Sequence, residues 1–375
     1  MQYTAHLCNN SVSAEYSRTN KLRRVLHYYC KARLCSMEGG SIMKRFLLSV
    51  LILILALITF SGCGSSPQEY THVRLNKTVH SVFYVPHYVA YEKGFFAEEG
   101  LELSIDVAQG SDRSMTALIS GNADIALLGP ETGIYVYNQG KEDFPVVFAQ
   151  LTRRPGNFLV SRTNDTDFTW QDVVGRTIIG GRNYGMPQMV LEYILRNHGI
   201  IPHVDVEIIT NLDFTTTAGA FAAGEGDYTV EFEPAATELE NNDRGFVVAP
   251  LGPEAQVPYT VYMTTPQYLE ENPEIVQKFT NAVYRGMQWV MNNTAEAAAE
   301  VIQPQFPEFS IEDLTKIIDR YKSVETWNTE PILTEEDYSL LLYILQDGDP
   351  DINYVPFNEL VNNDFAVVAI QNVIN

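Results

Sequence analysis

Three glutamates occupy positions at which an acidic side chain could recognise a small molecule. Glu131 follows the apolar segment 125–128, and Glu231 and Glu233 follow the apolar segment 228–230. Carboxylates accept hydrogen bonds from amine or amidine-like N–H groups and repel oxyanions such as sulfonate or nitrate. These residues are therefore candidate ligand contacts, with solvated loop acids as the alternative.

A glycine-rich loop, Gly180–Gly185, precedes a helix whose first turn is indicated by Pro187. Its backbone N–H groups could hold an anion or a carbonyl oxygen. The loop has the glycine spacing of a phosphate loop, but Met186 and Pro187 replace the required Lys-Ser/Thr pair, which argues against nucleotide binding. The alternative is a tight turn without a ligand. The candidate contacts in this loop are Gly181, Asn183, Tyr184 and Gly185.

Several ring-bearing side chains are expected on the cleft side of the fold, in loops or crossovers, where a planar ligand could stack between them. These candidates are Tyr84, His87, Tyr184, Tyr228 and Tyr259, and the alternative for each is ordinary packing. Ser111, in the polar loop 109–112, is a further candidate. Arg153, Arg154 and Arg182 would favour an anionic ligand instead, although the first two lie where a hinge is expected.

Overall charge and cysteine positions exclude several classes of function. The 375-residue chain holds 47 acidic and 25 basic residues, a formal net charge of −22, so a nucleic-acid partner is not expected. All four cysteines lie near its start, at Cys8, Cys30, Cys35 and Cys63. The chain after Cys63 therefore has no disulfide, zinc–thiolate site or catalytic thiol. Its histidines show no metal-site spacing, and no cofactor is expected.

The segment 43–62 has the pattern of a lipoprotein signal peptide. A basic start is followed by an apolar run, 46–60, which is shorter than the roughly 20 residues of a bilayer span. The end of the segment, Ser61-Gly62-Cys63, resembles a bacterial lipobox. That resemblance implies a diacylated Cys63, a tether over 63–75 and an extracytoplasmic, lipid-anchored protein. An uncleaved membrane anchor is the alternative.

Residues 1–42 precede this signal and need a separate interpretation. Met37–Gly40 can be encoded by a ribosome-binding sequence a few nucleotides ahead of the codon for Met43. We therefore interpret residues 1–42 as untranslated leader.

Two stretches of the chain share one order of strand, helix and turn signals. The landmarks Thr78 and Thr177, and likewise Gly100 and Gly199, are roughly 100 residues apart. The strands predicted in the first copy are 78–83, 101–107 and 125–128, and those in the second copy are 177–179, 206–210 and 228–230. Asp124 and Asp227 close equivalent Gly-x-x-Asp turns and are interpreted as structural.

This repeat predicts an α/β fold of two β-α-β-α-β lobes with a ligand cleft beyond the carboxyl ends of the strands. The first lobe would begin with 76–150, the second would cover 151–250, and 251–375 would return to the first. Crossovers near 149–158 and 248–262 would form a two-crossover hinge. The predicted tail helices are Pro273–Asn293, Ile311–Tyr321, Glu335–Leu345 and Asn358–Ile370.

Residues 86–101 (PHYVAYEKGFFAEEGL) and 120–126 (SGNADIA) resemble a known family. They resemble the SsuA-like solute-binding proteins of ATP-driven importers, which include binders of thiamine-pyrimidine precursors. The resemblance covers nearly everything from residue 76 to the C-terminus. It implies a periplasmic-binding-protein type II-like fold, capture of a small-molecule solute by lobe closure, and delivery to ABC permease subunits with a cytoplasmic ATPase. Family members bind sulfonates, taurine, nitrate or pyrimidine precursors, so the ligand stays open.

The leading hypothesis is a monomeric binding protein that performs no chemistry. Glutamates and tyrosines favour a thiamine-precursor-like pyrimidine or another nitrogen heterocycle as its solute. The second hypothesis gives it an aliphatic sulfonate, taurine or nitrate. A third is an enzyme like the pyrimidine synthase related to these receptors, whose cysteine-rich motif has no counterpart after Cys63. A sensor that presents its closed form to a receptor kinase stays open as well.

Overall fold

Two five-stranded sheets form the framework of the protein in the computed structural model, which describes residues 70–374 except residue 142. The strands are β1 (Thr71–Lys77), β2 (Leu101–Val107), β3 (Ile125–Leu128), β4 (Val146–Thr152), β5 (Asn157–Ser161), β6 (Thr177–Ile179), β7 (Glu207–Ile209), β8 (Tyr228–Phe232), β9 (Phe246–Pro250) and β10 (Thr260–Thr264). The predicted leader 1–42, signal peptide 43–62 and lipidated Cys63 lie outside the described residues.

Helices cover the faces of both sheets. They are α1 (Val85–Glu92), α2 (Phe95–Glu98), α3 (Ser111–Ile119), α4 (Glu131–Asn138), α5 (Met186–Asn197), α6 (Thr217–Ala223), α7 (Ala235–Asn241), α8 (Pro266–Glu271), α9 (Pro273–Asn292), α10 (Ala295–Ile302), α11 (Ile311–Ser323), α12 (Glu335–Gly348), α13 (Phe357–Leu360) and α14 (Asp364–Ile374). None of the helices within the described residues is both long and apolar enough to cross a bilayer.

The two sheets repeat one topology. Their strand orders are β2-β1-β3-β10-β4 in what we call the first lobe and β7-β6-β8-β5-β9 in the second. In each lobe the second strand of the sheet pairs in parallel with both of its neighbours, β1 with β2 and β3, and β6 with β7 and β8. The predicted two-lobed α/β fold is therefore confirmed.

The two Gly-x-x-Asp turns have the same structural role in both lobes. A carboxylate oxygen of Asp124 accepts the Arg74 N–H at 2.8 Å, and one of Asp227 accepts the Thr177 N–H at 3.0 Å. Each aspartate thereby joins one strand to the turn before its parallel neighbour. Their interpretation as structural residues is consistent with these contacts.

The first strand lies earlier in the chain than predicted. β1 begins at Thr71, inside the segment 63–75 that was expected to be a tether, and the predicted strand 78–83 is a loop that ends in a 3-10 turn, Val82–Tyr84. Both of these predictions are wrong over the described residues. Segments 71–77 and 78–83 are adjacent in the chain, and both have a strand-like pattern. The first segment forms the strand, because it pairs with β2 and buries Val73 and Leu75.

The chain passes between the sheets twice, at 153–156 and at 251–259. The tail packs mainly on the first lobe, where α9 contacts α1, α2 and α14. Its apolar stripe of Val276, Phe279, Val283, Met287 and Val290 is buried, as expected of core residues.

The tail also contacts the second lobe, which the sequence did not predict. Arg320 of α11 bonds Glu233 and Glu240, and Asp347 of α12 accepts a bond from Arg196 of α5. The expected helix 358–370 is broken into α13 and α14, because the backbone between them bonds to the edge strand β4.

Candidate ligand-binding site

A cavity of about 250 Å³ opens between the two lobes at the carboxyl ends of their central strands. The first lobe contributes Ser111, Asp112, Glu131, Thr132 and Tyr135. The second lobe contributes Arg182, Asn183, Tyr184, Gly185, Met186, Pro187 and Phe214. Six of these twelve residues are polar or charged, and the aromatic and aliphatic side chains among the others provide the apolar surface that small-molecule sites commonly have.

Glu131 is the one carboxyl group of this wall that is fully buried, with 1 % of its surface exposed. Its Oε2 has no hydrogen-bond partner among the residues that the structure describes. Burial raises the pKa of Glu131 to about 8, and the nearby charge of Asp112 adds to this shift. At pH 7 the side chain is therefore mostly a neutral acid, with one O–H donor and one acceptor.

The position of Glu131 follows from the chain around it. β3 ends at Leu128, and α4 begins at Glu131, so the side chain is placed at the strand edge by a rigid strand–turn–helix unit. The carboxyl group folds over Gly129, where an added Cβ would lie 2.0 Å from Oε2. Any side chain at 129 would displace the acid.

Three tyrosines surround the acid. Burial, together with the charge of Glu131, raises the pKa of Tyr84, Tyr135 and Tyr259. Tyr84 and Tyr259 line a smaller inner cavity of about 20 Å³, which shares Ser111 with the main one. The Tyr259 hydroxyl donates to Asn157 Oδ1, which fixes its ring across the crossover. The structure thus gathers Ser111, Glu131, Tyr84 and Tyr259, all predicted as contacts.

The glycine-rich loop lies at the cavity, but its backbone donors are used within the protein. The N–H groups of Asn183, Tyr184 and Gly185 donate to Thr210 O, Gln188 Oε1 and Arg182 O. Tyr184 has a φ of 58°, and the residue is 56 % exposed. The expected anion grip by these three N–H groups is therefore wrong, and the loop presents side chains to the cavity instead. Gly181 has a φ of 98° and does not line the cavity.

Two of the three glutamates lie away from the cavity. Glu231 accepts bonds from the Thr217 and Thr229 hydroxyls at 3.0 and 2.6 Å, and burial raises its pKa to about 7. Glu233 pairs with Arg320 at 2.5 Å and accepts the Thr237 N–H at 2.9 Å. Side chains alternate along a strand, so it is the residue between them, Phe232, that reaches the inner cavity.

His87 and Tyr228 are also placed elsewhere. His87 lies inside α1 rather than in a cleft loop, fully buried, with its Nδ1 3.1 Å from the Tyr262 hydroxyl. Burial and the charge of Lys77 lower its pKa to about 3, so the ring is neutral. Tyr228 begins β8 and therefore lies at the end of that strand opposite Phe232. Neither residue lines the cavity.

The sequence analysis missed Thr132, Tyr135 and Phe214. Tyr135 lies four residues after Glu131, so both share one face of α4. That spacing was available in the sequence, and a helix predicted to start at Glu131 would have identified Tyr135. Phe214 lies in the loop 213–215, which the repeat places at the cleft, but its aromatic side chain was not singled out.

Arg182 connects the lobes rather than presenting a free cation. It donates to Asp112 of the first lobe at 2.8 Å and to Asp213 of the second, and Arg113 also reaches Asp213 at 3.4 Å. A second bridge joins the Tyr135 hydroxyl to the Tyr184 carbonyl at 3.2 Å. These contacts hold the lobes together over the cavity.

Replacing Arg182 with alanine is expected to favour a more open form. An exposed ion pair contributes ~0.2–1 kcal/mol, so ligand affinity should fall about two- to fivefold, and solution scattering should show a larger radius of gyration. Arg285→Ala is the matched control, because Arg285 pairs with Glu98 within the first lobe. An unchanged radius in Arg182→Ala would contradict the bridging role.

Comparison with known proteins shows the family of the chain. Residues 82–297 match the family described as NMT1/THI5 like, which is more than half of the sequence. The chain belongs to this family. Within the described residues no group of three or more His, Cys, Asp or Glu side chains is arranged to hold a metal ion.

Two proteins that are similar to this chain have names that refer to binding. The Bacillus subtilis protein named "Putative binding protein YtlA" is 40 % identical over 84 % of this chain and 94 % of its own length. The formylaminopyrimidine-binding protein of Halalkalibacterium halodurans is 26 % identical over 68 % of this chain and 78 % of its own.

A solved structure shows the same fold. The alkanesulfonate-binding protein SsuA of Xanthomonas axonopodis, bound to MOPS, has a TM-score of 0.64 and 11 % identity, covering 80 % of this chain and all of its own. At that identity the likeness concerns the fold alone. The chain therefore has the two-lobed fold of the periplasmic binding proteins.

Proposed function

We propose that the protein is the extracytoplasmic solute-binding component of an ABC importer. In this proposal it captures a small aminopyrimidine, or a related nitrogen heterocycle, by lobe closure and delivers it to the permease. The observation that carries the proposal is Glu131, a buried acid with an unpartnered oxygen in the wall of an interlobe cavity.

The chemistry of Glu131 matches an aminopyrimidine edge. A neutral carboxylic acid offers one donor and one acceptor side by side, and an aminopyrimidine presents an N–H donor beside a ring-nitrogen acceptor. The main cavity, about 250 Å³, lies at the small end of ligand sites, which suits a single-ring solute. The rings of Tyr135, Tyr184 and Phe214 offer faces for stacking. The relative named for formylaminopyrimidine supports the same class.

The electrostatics of the cavity disfavour the alternative, a sulfonate, taurine or nitrate. Arg182 is the only cation in its wall, and it already bonds Asp112 and Asp213. Asp112 and Glu131 add negative or acidic groups beside any anion placed there. An oxyanion would therefore meet no unpaired positive group among these wall residues.

We propose that the protein is lipid-anchored outside the cytoplasm and binds its solute without catalysis. The signal-like segment 43–62 and Cys63 support a lipid anchor that holds the protein on the outer face of the cytoplasmic membrane or in the periplasm, where we propose that it acts as a monomer. A role without catalysis is supported by relatives whose names refer to binding. Turnover of a bound pyrimidine by the purified protein would revive the pyrimidine-synthase-like alternative.

Calorimetric titration of the purified protein tests the ligand class. The test compares 4-amino-5-hydroxymethyl-2-methylpyrimidine with ethanesulfonate, taurine and nitrate. We expect saturable one-site binding of the pyrimidine and none of the anions. Binding of a sulfonate alone, abolished in Arg182→Ala, would replace the proposal with the anion alternative.

A further inference from the structure

Tyr184 lies in the wall of the interlobe cavity with a backbone conformation that a tyrosine rarely adopts. Its φ of 58° is in the left-handed region, where the Cβ of a residue other than glycine is crowded by the backbone. In this conformation the Tyr184 carbonyl accepts the Tyr135 hydroxyl of the first lobe at 3.2 Å. The backbone of this one residue therefore sets both a part of the cavity wall and a bond between the lobes.

Gln188 supplies the hydrogen bond that matches this conformation. Its Oε1 accepts the Tyr184 N–H at 2.8 Å, although Gln188 is buried, with 7 % of its surface exposed, and does not line the cavity. α5 begins at Met186, so Gln188 is the third residue of the helix. A glutamine at that position commonly reaches back to the N–H of the residue before the helix. Here it reaches one residue further back, since the Gly185 N–H donates to Arg182 O instead.

The orientation of the Gln188 amide is set by Glu192, one turn further along α5. A carboxylate paired with an arginine only accepts hydrogen bonds, and Glu192 Oε1 accepts one from Gln188 Nε2. The amide oxygen must therefore face Tyr184. Glu192 is 6 % exposed and is held in turn by Arg196 Nη1, at 3.3 Å from Oε2, and by His203 Nε2, at 3.1 Å from Oε1.

We infer that Gln188 is a positioning residue for the ligand, because its bond to the Tyr184 N–H fixes the left-handed backbone that shapes the cavity wall and the bond to Tyr135. Without this acceptor the Tyr184 N–H would lose its partner while the backbone kept its strain, so other conformations of the loop would be populated. Only the molecules in the binding-competent form contribute to affinity. This inference rests on the proposed function and adds a residue that acts on the ligand through another side chain.

A double-mutant cycle, measured by calorimetric titration with 4-amino-5-hydroxymethyl-2-methylpyrimidine, tests the inference. Gln188→Met keeps the length of the side chain but removes the acceptor, and we expect it to weaken binding about tenfold. Tyr184→Gly removes the strain, since glycine adopts a positive φ freely. In that background Gln188→Met should weaken binding less than about twofold. An equal loss in both backgrounds, or no loss in either, would overturn the inference.

Gln277→Met is the matched control, because it makes the same exchange on a helix of the first lobe. Gln277 of α9 donates to Asn281 Oδ1 at 2.9 Å and to Phe365 O at 3.0 Å, and it lines neither cavity of the site. We expect wild-type affinity in this variant, and a tenfold loss there would assign the effect to general destabilisation. Circular dichroism verifies folding. Gln188→Asn, one methylene too short to reach Tyr184, takes the place of Gln188→Met in the cycle if the latter does not fold.

NMR spectra of the free protein test the positioning role without any ligand. The HN–Hα coupling and backbone chemical shifts of Tyr184 report its φ. We expect left-handed values in the wild-type protein and in Gln277→Met, and a shift away from them in Gln188→Met or Gln188→Asn. Absence of pyrimidine binding by the wild-type protein would contradict the proposed function alone. Values for Tyr184 that stay unchanged in the Gln188 variants would refute the positioning role, whether or not a pyrimidine binds.

Discussion

Replacing Glu131 with alanine is expected to weaken aminopyrimidine binding by about 100-fold. The substitution leaves an N–H group and a ring nitrogen of the ligand without partners in a buried site, where each costs ~1–3 kcal/mol. Calorimetry at pH 7 measures the effect, with circular dichroism to verify folding. An affinity within about threefold of wild type would contradict the proposed role of Glu131.

Glu131→Gln is the informative companion, because an amide reproduces the donor and acceptor of a neutral acid. We expect its affinity at pH 7 to stay within about tenfold of wild type. Above pH 8 the free wild-type protein loses the Glu131 proton that the complex requires, so its affinity should fall about tenfold by pH 9. The glutamine variant should show no such fall. Equal pH profiles would contradict a protonated Glu131 in the complex.

The free energy of unfolding is expected to decrease as pH rises from 5 to 8. The pKa of Glu131 is raised from 4.5 to about 8 in the folded protein, so between these values the folded state keeps a proton that the unfolded chain releases. Rising pH therefore favours unfolding, by on the order of 4 kcal/mol for this group. Glu231, with a pKa of about 7, acts in the same direction.

Urea denaturation at pH 5 and pH 8 measures the free energy of unfolding of the wild-type protein and of two variants. Glu131→Gln should resemble wild type at pH 5 and be clearly more stable at pH 8, since it removes the buried ionisation. Glu296→Gln, an exposed position on α10, should follow wild type at both values. A constant difference between Glu131→Gln and wild type across pH would contradict the burial of a titrating acid.

The sequence predicted the lobes well because the repeat is encoded in local signals. β2 and β3 lie where alternation and apolar runs placed them, and α5 begins beside Pro187 and ends before Gly199. The same register put Glu131, Ser111 and the loop 180–185 at the strand ends. Glu131, Ser111 and residues 182–185 of that loop lie at the cavity because the topology brings strand ends to one edge of a sheet.

The sequence could not predict which side chains of a strand or helix point towards the cleft. Glu231 and Glu233 stand at the correct end of β8, yet Phe232 between them faces the cavity, because alternation fixes relative faces but not which one meets the cleft. His87 followed a turn-like Pro86, but that proline lies in the first turn of α1 and carries His87 into the core.

Long-range pairing explains the remaining differences. Arg182 resembled an anion contact in the sequence, but its carboxylate partners, Asp112 and Asp213, come from two different lobes. The surface cavity beside the site joins Tyr135 to Asp349, about 200 positions later in the chain, so no local pattern could indicate it. Such contacts appear only once the tail has packed beside the cleft.

A crystal structure of the protein with 4-amino-5-hydroxymethyl-2-methylpyrimidine tests the central claim most directly. The ring should lie between the lobes, with its amino nitrogen or a ring nitrogen about 2.7–3.2 Å from a carboxyl oxygen of Glu131. Density for the pyrimidine only outside this cavity, or a cleft that binds sulfonate at Arg182 in its place, would contradict it.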